Sequence, residues 1–201
     1  MLEPLARVEN LKLCSRCGGK CCKTSPGRFA PSDFQGSAEG LDTKKLKTFL
    51  EQGRASIVIG FVRAFSSPLA PIFMLKHRGK GKGELEFFCS DTECSALDAE
   101  GCSYSLELRP FECAAIVPRT SICVLPNDLQ MEDLWSPHQI TLYPLIHTLA
   151  GCDWVDEFHR QLDDTHNMSP FKQEVHARIK SHGLTTSVSE ISLIADLVRS
   201  M

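Results

Sequence analysis

The sequence has no long hydrophobic run and no marked excess of either charge. Its longest apolar stretch, residues 56–62, is far shorter than the about 20 residues that cross a bilayer, so we expect no membrane-spanning helix. The 22 Lys and Arg residues nearly balance the 25 Asp and Glu residues, which gives a net charge of −3. We therefore expect neither a nucleic-acid partner nor a membrane partner. No long apolar stretch precedes the first cysteines, and we expect no secretory signal peptide.

Sequence signatures of nucleotide sites and of common hydrolases are also missing. There is no glycine-rich dinucleotide fingerprint. The glycine- and lysine-rich segment 76–83 lacks the Gly-Lys-Ser/Thr ending of a phosphate-binding loop, and it is predicted to be a solvated hairpin tip. No Ser-His-Asp or paired-carboxylate arrangement stands out. The seven histidines are scattered, and for His159 and His166 we predict surface positions.

Cysteine is abundant, with ten residues in a chain of 201. A chain of this length can build its own hydrophobic core, so it does not need disulfides as small secreted domains do. We expect a cytoplasmic protein, and in that reducing compartment clustered thiols bind metal more often than they form disulfides. Nine of the cysteines lie in two blocks, at 14–22 and 89–123. The tenth, Cys152, precedes a predicted helix and is expected to pack in the core.

The first block reads CSRCGGKCC and holds four cysteines. Its Cys-x-x-Cys turn can direct two sulfurs at one ion, because the backbone between them folds over and donates N–H groups to thiolates. The glycines that follow let the backbone curl closely around an ion. We therefore predict metal ligation by Cys14, Cys17, Cys21 and Cys22. Adjacent cysteines usually point in different directions, so the last two either serve two ions or divide into one ligand and one packing residue.

The second block supplies thiols at wider spacing. Cys94, Cys102 and Cys113 are predicted metal ligands if the fold brings the two blocks together. Cys89 ends a predicted strand and Cys123 lies in an apolar segment, so each is either a ligand or a core residue.

For two other side chains of this block, the sequence leaves two alternative roles each. Arg109 either donates hydrogen bonds to a negatively charged cluster or pairs with Glu107 or Glu112. Tyr104 either packs beside the site or is an ordinary, partly buried core residue.

Spacing excludes several known cysteine motifs. Between Cys14, Cys17 and Cys21 there are two and then three residues, the reverse of the loop in radical enzymes that cleave S-adenosylmethionine. The bacterial ferredoxin run is absent. The flanking pattern of thioredoxins and the His-x-Glu signature of zinc deaminases are absent too.

The two blocks together resemble the CxxCxxCC (YkgJ-like) cysteine-cluster family of zinc- or iron-chelating proteins. The resemblance spans roughly residues 10–120, although three residues rather than two precede the paired cysteines here. It implies bound zinc, iron or an iron–sulfur cluster, and no assigned reaction. Related clusters occur in proteins that methylate flagellin lysines. The matching residues are Cys14, Cys17, Cys21, Cys22, Cys94, Leu97, Asp98, Gly101, Cys102, Tyr104 and the run from Arg109 to Cys113.

Secondary-structure signals are mixed between the cysteine blocks. Asp42 is predicted to cap a helix that stops at Gly53. Residues 57–65, 71–75 and 84–88 are rich in β-forming residues and are predicted strands.

Hydrophobic periodicity becomes helical from residue 136. A segment opening at Ser136 contains Pro144, which is expected to kink or restart the helix. Asp153 and Ser169 are predicted caps of the next two helices. Ser187 has capping-box spacing ahead of a last helix.

These signals predict an α+β fold in two parts. Residues 1–130 are expected to form a small, mixed, cysteine-rich metal-binding domain. Residues 131–201 are expected to form a helical C-terminal extension packed on it.

The sequence leaves three hypotheses for function. The first is a protein that binds zinc or iron through clustered thiolates, and the surplus of thiols favours an iron–sulfur cluster. The second is an enzyme, either an iron–sulfur oxidoreductase or a methyltransferase-like protein-modifying enzyme. The third is a zinc-stapled interaction module that uses the helical extension to bind a partner. The sequence identifies no protein partner.

Overall fold

The part of the chain that the structure describes combines short helices with two small sheets, which confirms the α+β class. The computed structural model describes residues 19–24, 26–35, 40–61, 70–88, 92–99, 101–105, 108–115, 131–150, 153–164 and 169–184. Within them, 3-10 turns occur at Pro31–Phe34 and Ser136–His138. The other elements are α1 (Lys20–Thr24), α2 (Thr43–Glu51), β1 (Ala55–Phe61), β2 (Pro71–His77), β3 (Leu97–Asp98), β4 (Gly101–Cys102), α3 (Phe111–Ala115), α4 (Met131–Trp135), α5 (Gln139–Ala150), α6 (Trp154–Asp163) and α7 (Pro170–His182).

Each sheet has two strands. β1 and β2 are neighbours in the first sheet and are buried along almost their whole length. β3 and β4 pair antiparallel, with Leu97 opposite Cys102 and Asp98 opposite Gly101. Among the described helices, none has the length and apolar character needed to cross a membrane.

The chain divides into two compact units. The first comprises Met1–Ser56, Leu75–Gly83 and Asp91–Gln130. The second comprises Ile57–Met74, Glu84–Ser90 and Met131–Met201. Each unit therefore contains part of β1 and part of β2. The predicted domain boundary at residue 130 stays a prediction.

The first unit has a core of phenylalanine rings. Phe29 lies 5.2 Å from Phe34 and 5.7 Å from Phe49, measured between ring centroids. Arg54 covers the Phe49 ring, with its guanidinium carbon 4.0 Å from the centroid. Aromatic pairs of this kind stabilise a fold by more than the apolar area they bury accounts for. Here they hold residues 29–54 of the first unit together.

The second unit has its own aromatic core, built around Phe73 of β2. The Phe73 ring lies 5.0 Å from Tyr143 and 5.1 Å from Trp154. Trp135 and Trp154 are both fully buried, at 0% and 2% exposure. The side chain of Gln139 joins α5 to β2, because it accepts a hydrogen bond from the Phe73 amide at 2.8 Å and donates to the Phe73 carbonyl at 2.9 Å.

Most predicted helix boundaries are confirmed. Asp42 accepts hydrogen bonds from the amides of the first turn of α2, and Gly53 ends that region with φ +71°. Asp153 and Ser169 cap α6 and α7, and the latter helix ends at Gly183 with φ +81°. The helix predicted after Ser187 lies outside the described residues.

Two local predictions from this region are wrong. Segment 76–83 is not all a solvated loop, because Lys76 and His77 belong to β2 and are each 1% exposed. Long-range contacts cause this: Lys76 forms a bridge with Arg28, and the His77 amide donates to the Gly27 carbonyl. Segment 84–88 forms no strand of its own, although Leu85 makes an isolated bridge to Ile57 and the segment exchanges backbone hydrogen bonds with β1.

Pro144 lies inside a continuous α5 rather than interrupting it. Proline removes one N–H donor from the helix interior. Leu142, Tyr143 and Ile146 are all buried around it, so packing of the helix offsets the lost hydrogen bond.

Candidate metal centre

Four of the predicted ligand thiols lie in described parts of the first unit. They come from four separate elements or segments: Cys22 in α1, Cys94 before β3, Cys102 in β4 and Cys113 in α3. Cys21 belongs to α1, but its side chain is not described. The remaining cysteines lie outside the described residues: Cys14, Cys17, Cys89, Cys123 and Cys152.

The two sequence blocks meet at Cys22 and Cys94. The Cys94 amide donates a hydrogen bond to the Cys22 carbonyl at 2.7 Å, which joins α1 to the segment before β3. Cys94 is 4% exposed and lies in a small core with Ala96 and Leu97, and Cys22 packs against that core. Blocks separated by about seventy residues of sequence are therefore in direct contact.

Cys102 reaches the same core from β4. Its pairing with Leu97 across the β3–β4 sheet places it beside Ala96 and Cys94. The Ser103 amide then donates to the Ala96 carbonyl at 2.8 Å, which closes the turn. We call the three thiols that share this core, those of Cys22, Cys94 and Cys102, the thiol cluster.

Cys113 lies close enough to the thiol cluster to be coupled to it electrostatically. Burial is the main cause that raises the pKa of the Cys113 thiol, and ionised Cys94, Glu112 and Cys102 raise it further. The Gly27 amide donates a hydrogen bond to the Cys113 sulfur and acts in the opposite direction. A Cβ atom at Gly27 would overlap that sulfur, so only glycine fits there.

An ion pair fixes α3 beside residues 27–28. The Glu112 carboxylate accepts hydrogen bonds from the Arg28 amide at 2.6 Å and from the Arg28 guanidinium at 2.8 and 3.0 Å. The Glu112 amide donates in return to the Arg28 carbonyl at 3.1 Å. The Glu112 side chain is only 8% exposed, so this two-way contact determines where the following residue, Cys113, is placed.

Tyr104 and Arg109 border the site. Tyr104 packs against the thiol cluster, and its hydroxyl accepts a hydrogen bond from Arg54 at 3.2 Å. This tyrosine fits both alternatives from the sequence: it is a half-buried core residue, and it packs beside the site. Arg109 donates to the Tyr104 carbonyl at 3.2 Å, while Glu112, one of its expected partners, is held by Arg28.

Sequence reasoning missed His77. This residue ends β2 with its Nδ1 atom 3.4 Å from the Cys94 sulfur. Burial lowers the pKa of His77, so the ring is neutral at neutral pH. The only sequence signal was its position directly after an apolar strand, because the pairing that brings it to Cys94 joins residues far apart in the chain.

Within the described residues, no group of three or more His, Cys, Asp or Glu side chains is arranged to hold a metal ion. The chemistry of the donors nevertheless suits a soft cation, because thiolates select zinc, copper and iron–sulfur clusters. No family model, no curated protein and no solved structure matches this chain.

Proposed function

We propose that this protein binds zinc, iron or an iron–sulfur cluster through thiolates from both cysteine blocks. The observation that carries the proposal is the thiol cluster, in which Cys22 of the first block and Cys102 of the second both pack against the small core that contains Cys94. The resemblance to the CxxCxxCC family, which rests on residues of both blocks, supports the same function.

Three physical features favour a cation at this place. The cluster is partly buried, so ionised sulfurs there need a compensating positive charge. Its thiols come from segments that have little other secondary structure, and a shared ion can hold such segments together. Cys113 is a fourth described sulfur of the same unit, and four is the number of thiolates that a closed zinc site or a cubane cluster takes.

The first block would supply the remaining ligands. Cys14, Cys17 and Cys21 precede Cys22 at a spacing typical of a metal-binding turn. Seven predicted ligands exceed what one four-coordinate ion requires, so the proposal includes either two sites or one cluster with adjacent free thiols.

The decisive experiment is anaerobic purification followed by elemental analysis and an absorption spectrum. Iron with acid-labile sulfide and a broad visible absorption band would establish an iron–sulfur cluster. Stoichiometric zinc in a colourless protein would establish a zinc site. Protein that carries neither metal would refute the proposal.

A pair of variants tests the ligand assignment. Cys94→Ser removes a buried sulfur at the contact between the blocks, and we expect it to lower the ratio of metal to protein. Cys152→Ser is the matched control, because this cysteine lies outside both blocks. Unchanged metal content in the Cys94 variant, or equal loss in both variants, would remove Cys94 from the ligand set.

A further inference from the structure

The backbone holds His77 against Cys94. Gly79 and Cys94 form an antiparallel bridge, and the Ser95 amide donates to the Arg78 carbonyl at 3.0 Å. On the other side, the His77 amide donates to the Gly27 carbonyl at 2.8 Å. Backbone pairing therefore places the two residues side by side.

The imidazole ring is also fixed by its neighbours. His77 is 1% exposed and stacks on Phe29 with ring centroids 6.2 Å apart and planes 26° apart. Tyr104 covers it from another direction, with centroids 5.2 Å apart. The contacts of each ring nitrogen determine whether it donates or accepts, and therefore what the residue can do.

The contacts of Nδ1 identify it as a donor. Nδ1 lies 3.2 Å from the Arg78 carbonyl, 3.4 Å from the Cys94 sulfur and 3.5 Å from the Ser95 hydroxyl. A carbonyl oxygen can only accept a hydrogen bond, so the proton is on Nδ1.

The other ring nitrogen is consistent with this assignment. Nε2 is buried and has no hydrogen-bond partner among the described residues. A buried acceptor without a partner is tolerated more readily than an N–H group without one.

We propose that His77 is a positioning residue of the thiol site, sharing its Nδ1–H between the Arg78 carbonyl and the Cys94 sulfur and so stabilising that sulfur as a thiolate ligand. The inference rests on the proposed function for its link to metal. The hydrogen bond itself can be tested separately from metal binding. Because Nδ1, the ring nitrogen beside the sulfur, carries the proton, that nitrogen cannot itself bind the metal that Cys94 would hold.

The first test uses the reduced protein as purified, labelled with ¹⁵N. Long-range ¹H–¹⁵N spectra of the imidazole should show His77 protonated at Nδ1, and Cys94→Ala should shift the Nδ1–H resonance. Protonation at Nε2, or a resonance unaffected by the loss of the sulfur, would overturn the proposal whether or not the protein binds metal.

The second test compares replacements of the ring by metal titration. His77→Phe should weaken metal affinity about 10- to 100-fold, the range found for groups that support a ligand from outside the coordination sphere, while the number of metal ions bound stays the same. Asn places an amide N–H near the position of Nδ1, whereas Gln places it near Nε2. We therefore expect His77→Asn to recover affinity and His77→Gln to recover none.

The control is His147→Phe, at an exposed position of α5, which should leave affinity unchanged. The sulfur-to-metal charge-transfer band should shift in His77→Phe and return in His77→Asn. Unchanged affinity and spectrum in a folded His77→Phe protein would refute the role, and so would loss of one bound metal ion, since that would make the imidazole a ligand. Wild-type protein without metal would refute the proposed function instead.

Discussion

The absence of a side chain at Gly27 makes room for the sulfur of Cys113. We expect Gly27→Ala to lower the free energy of unfolding by about 1–3 kcal/mol, the usual cost of forcing an extra carbon into a packed site. The new Cβ would overlap the sulfur and lie 3.2 Å from the Cys113 amide nitrogen, and backbone cannot move aside cheaply. Urea denaturation measures the difference.

Gly83→Ala is the matched control for that substitution. No atom lies within 4 Å of the position that its Cβ would occupy. We expect a change within about 0.5 kcal/mol there. Equal changes in unfolding free energy for the two substitutions would show that the contact between Gly27 and Cys113 is not the cause of the loss.

Tyr143 provides a pH-dependent test in the second unit. Burial raises the pKa of its hydroxyl above the usual value of about 10. The unfolded chain therefore loses this proton before the folded chain does, so stability from this group is present below about pH 10 and is lost as pH rises further. Tyr143→Phe should show a smaller decline in unfolding free energy between pH 9 and about 11.

The same substitution has an expected effect at neutral pH. The Tyr143 hydroxyl is buried and has no hydrogen-bond partner among the described residues. Its removal should leave stability unchanged or increase it, because no hydrogen bond is lost and an unsatisfied polar group disappears. A marked loss of stability by thermal denaturation would mean that the hydroxyl has a partner.

At the scale of elements, the ion pair between Arg28 and Glu112 anchors α3. Glu112→Gln should cost about 1–3 kcal/mol, because the mostly buried guanidinium loses a charged partner and one of the acceptor oxygens. Glu51→Gln breaks an exposed pair with Lys47 and should cost less than about 0.5 kcal/mol. Denaturant midpoints of the two variants make the comparison, and similar midpoints would contradict a structural role for the buried pair.

Elements defined by local signals were predictable. The caps at Asp42, Asp153 and Ser169 depend on a side chain and amides only two or three residues away. The extension of β2 to His77 depends on residues 27–28, about fifty positions away. Nothing in the local pattern of basic residues and glycines contains that information.

The candidate site, too, was predictable only where a local sequence signal existed. Cysteine spacing predicted Cys22, Cys94, Cys102 and Cys113 as members of one ligand set, because thiols clustered at such spacing are typical of metal sites. It could not place His77, since a histidine has ordinary surface roles and its partner is fixed only by tertiary pairing. The ligand roles themselves stay predictions.

At the scale of the whole molecule, the described thiols all belong to the first unit, and the second has its own aromatic core. On the proposed function, removing metal should therefore expose amides around the thiol cluster while α5, α6 and α7 stay protected, because binding energy at a metal site is folding energy for the segments it joins. Hydrogen exchange with and without a chelator measures this. Uniform loss of protection across both units would contradict it.

The distribution of tryptophan has a consequence for how unfolding is observed. The chain has two tryptophans, and both are buried in the second unit. Intrinsic tryptophan fluorescence therefore reports on the second unit, and local unfolding around the cysteines would leave its emission maximum near the buried, blue-shifted value. Circular dichroism reports on the helices and strands of both units, so recording it in parallel would separate unfolding of the first unit from unfolding of the second. The native chain therefore already carries an optical reporter specific to one of its units.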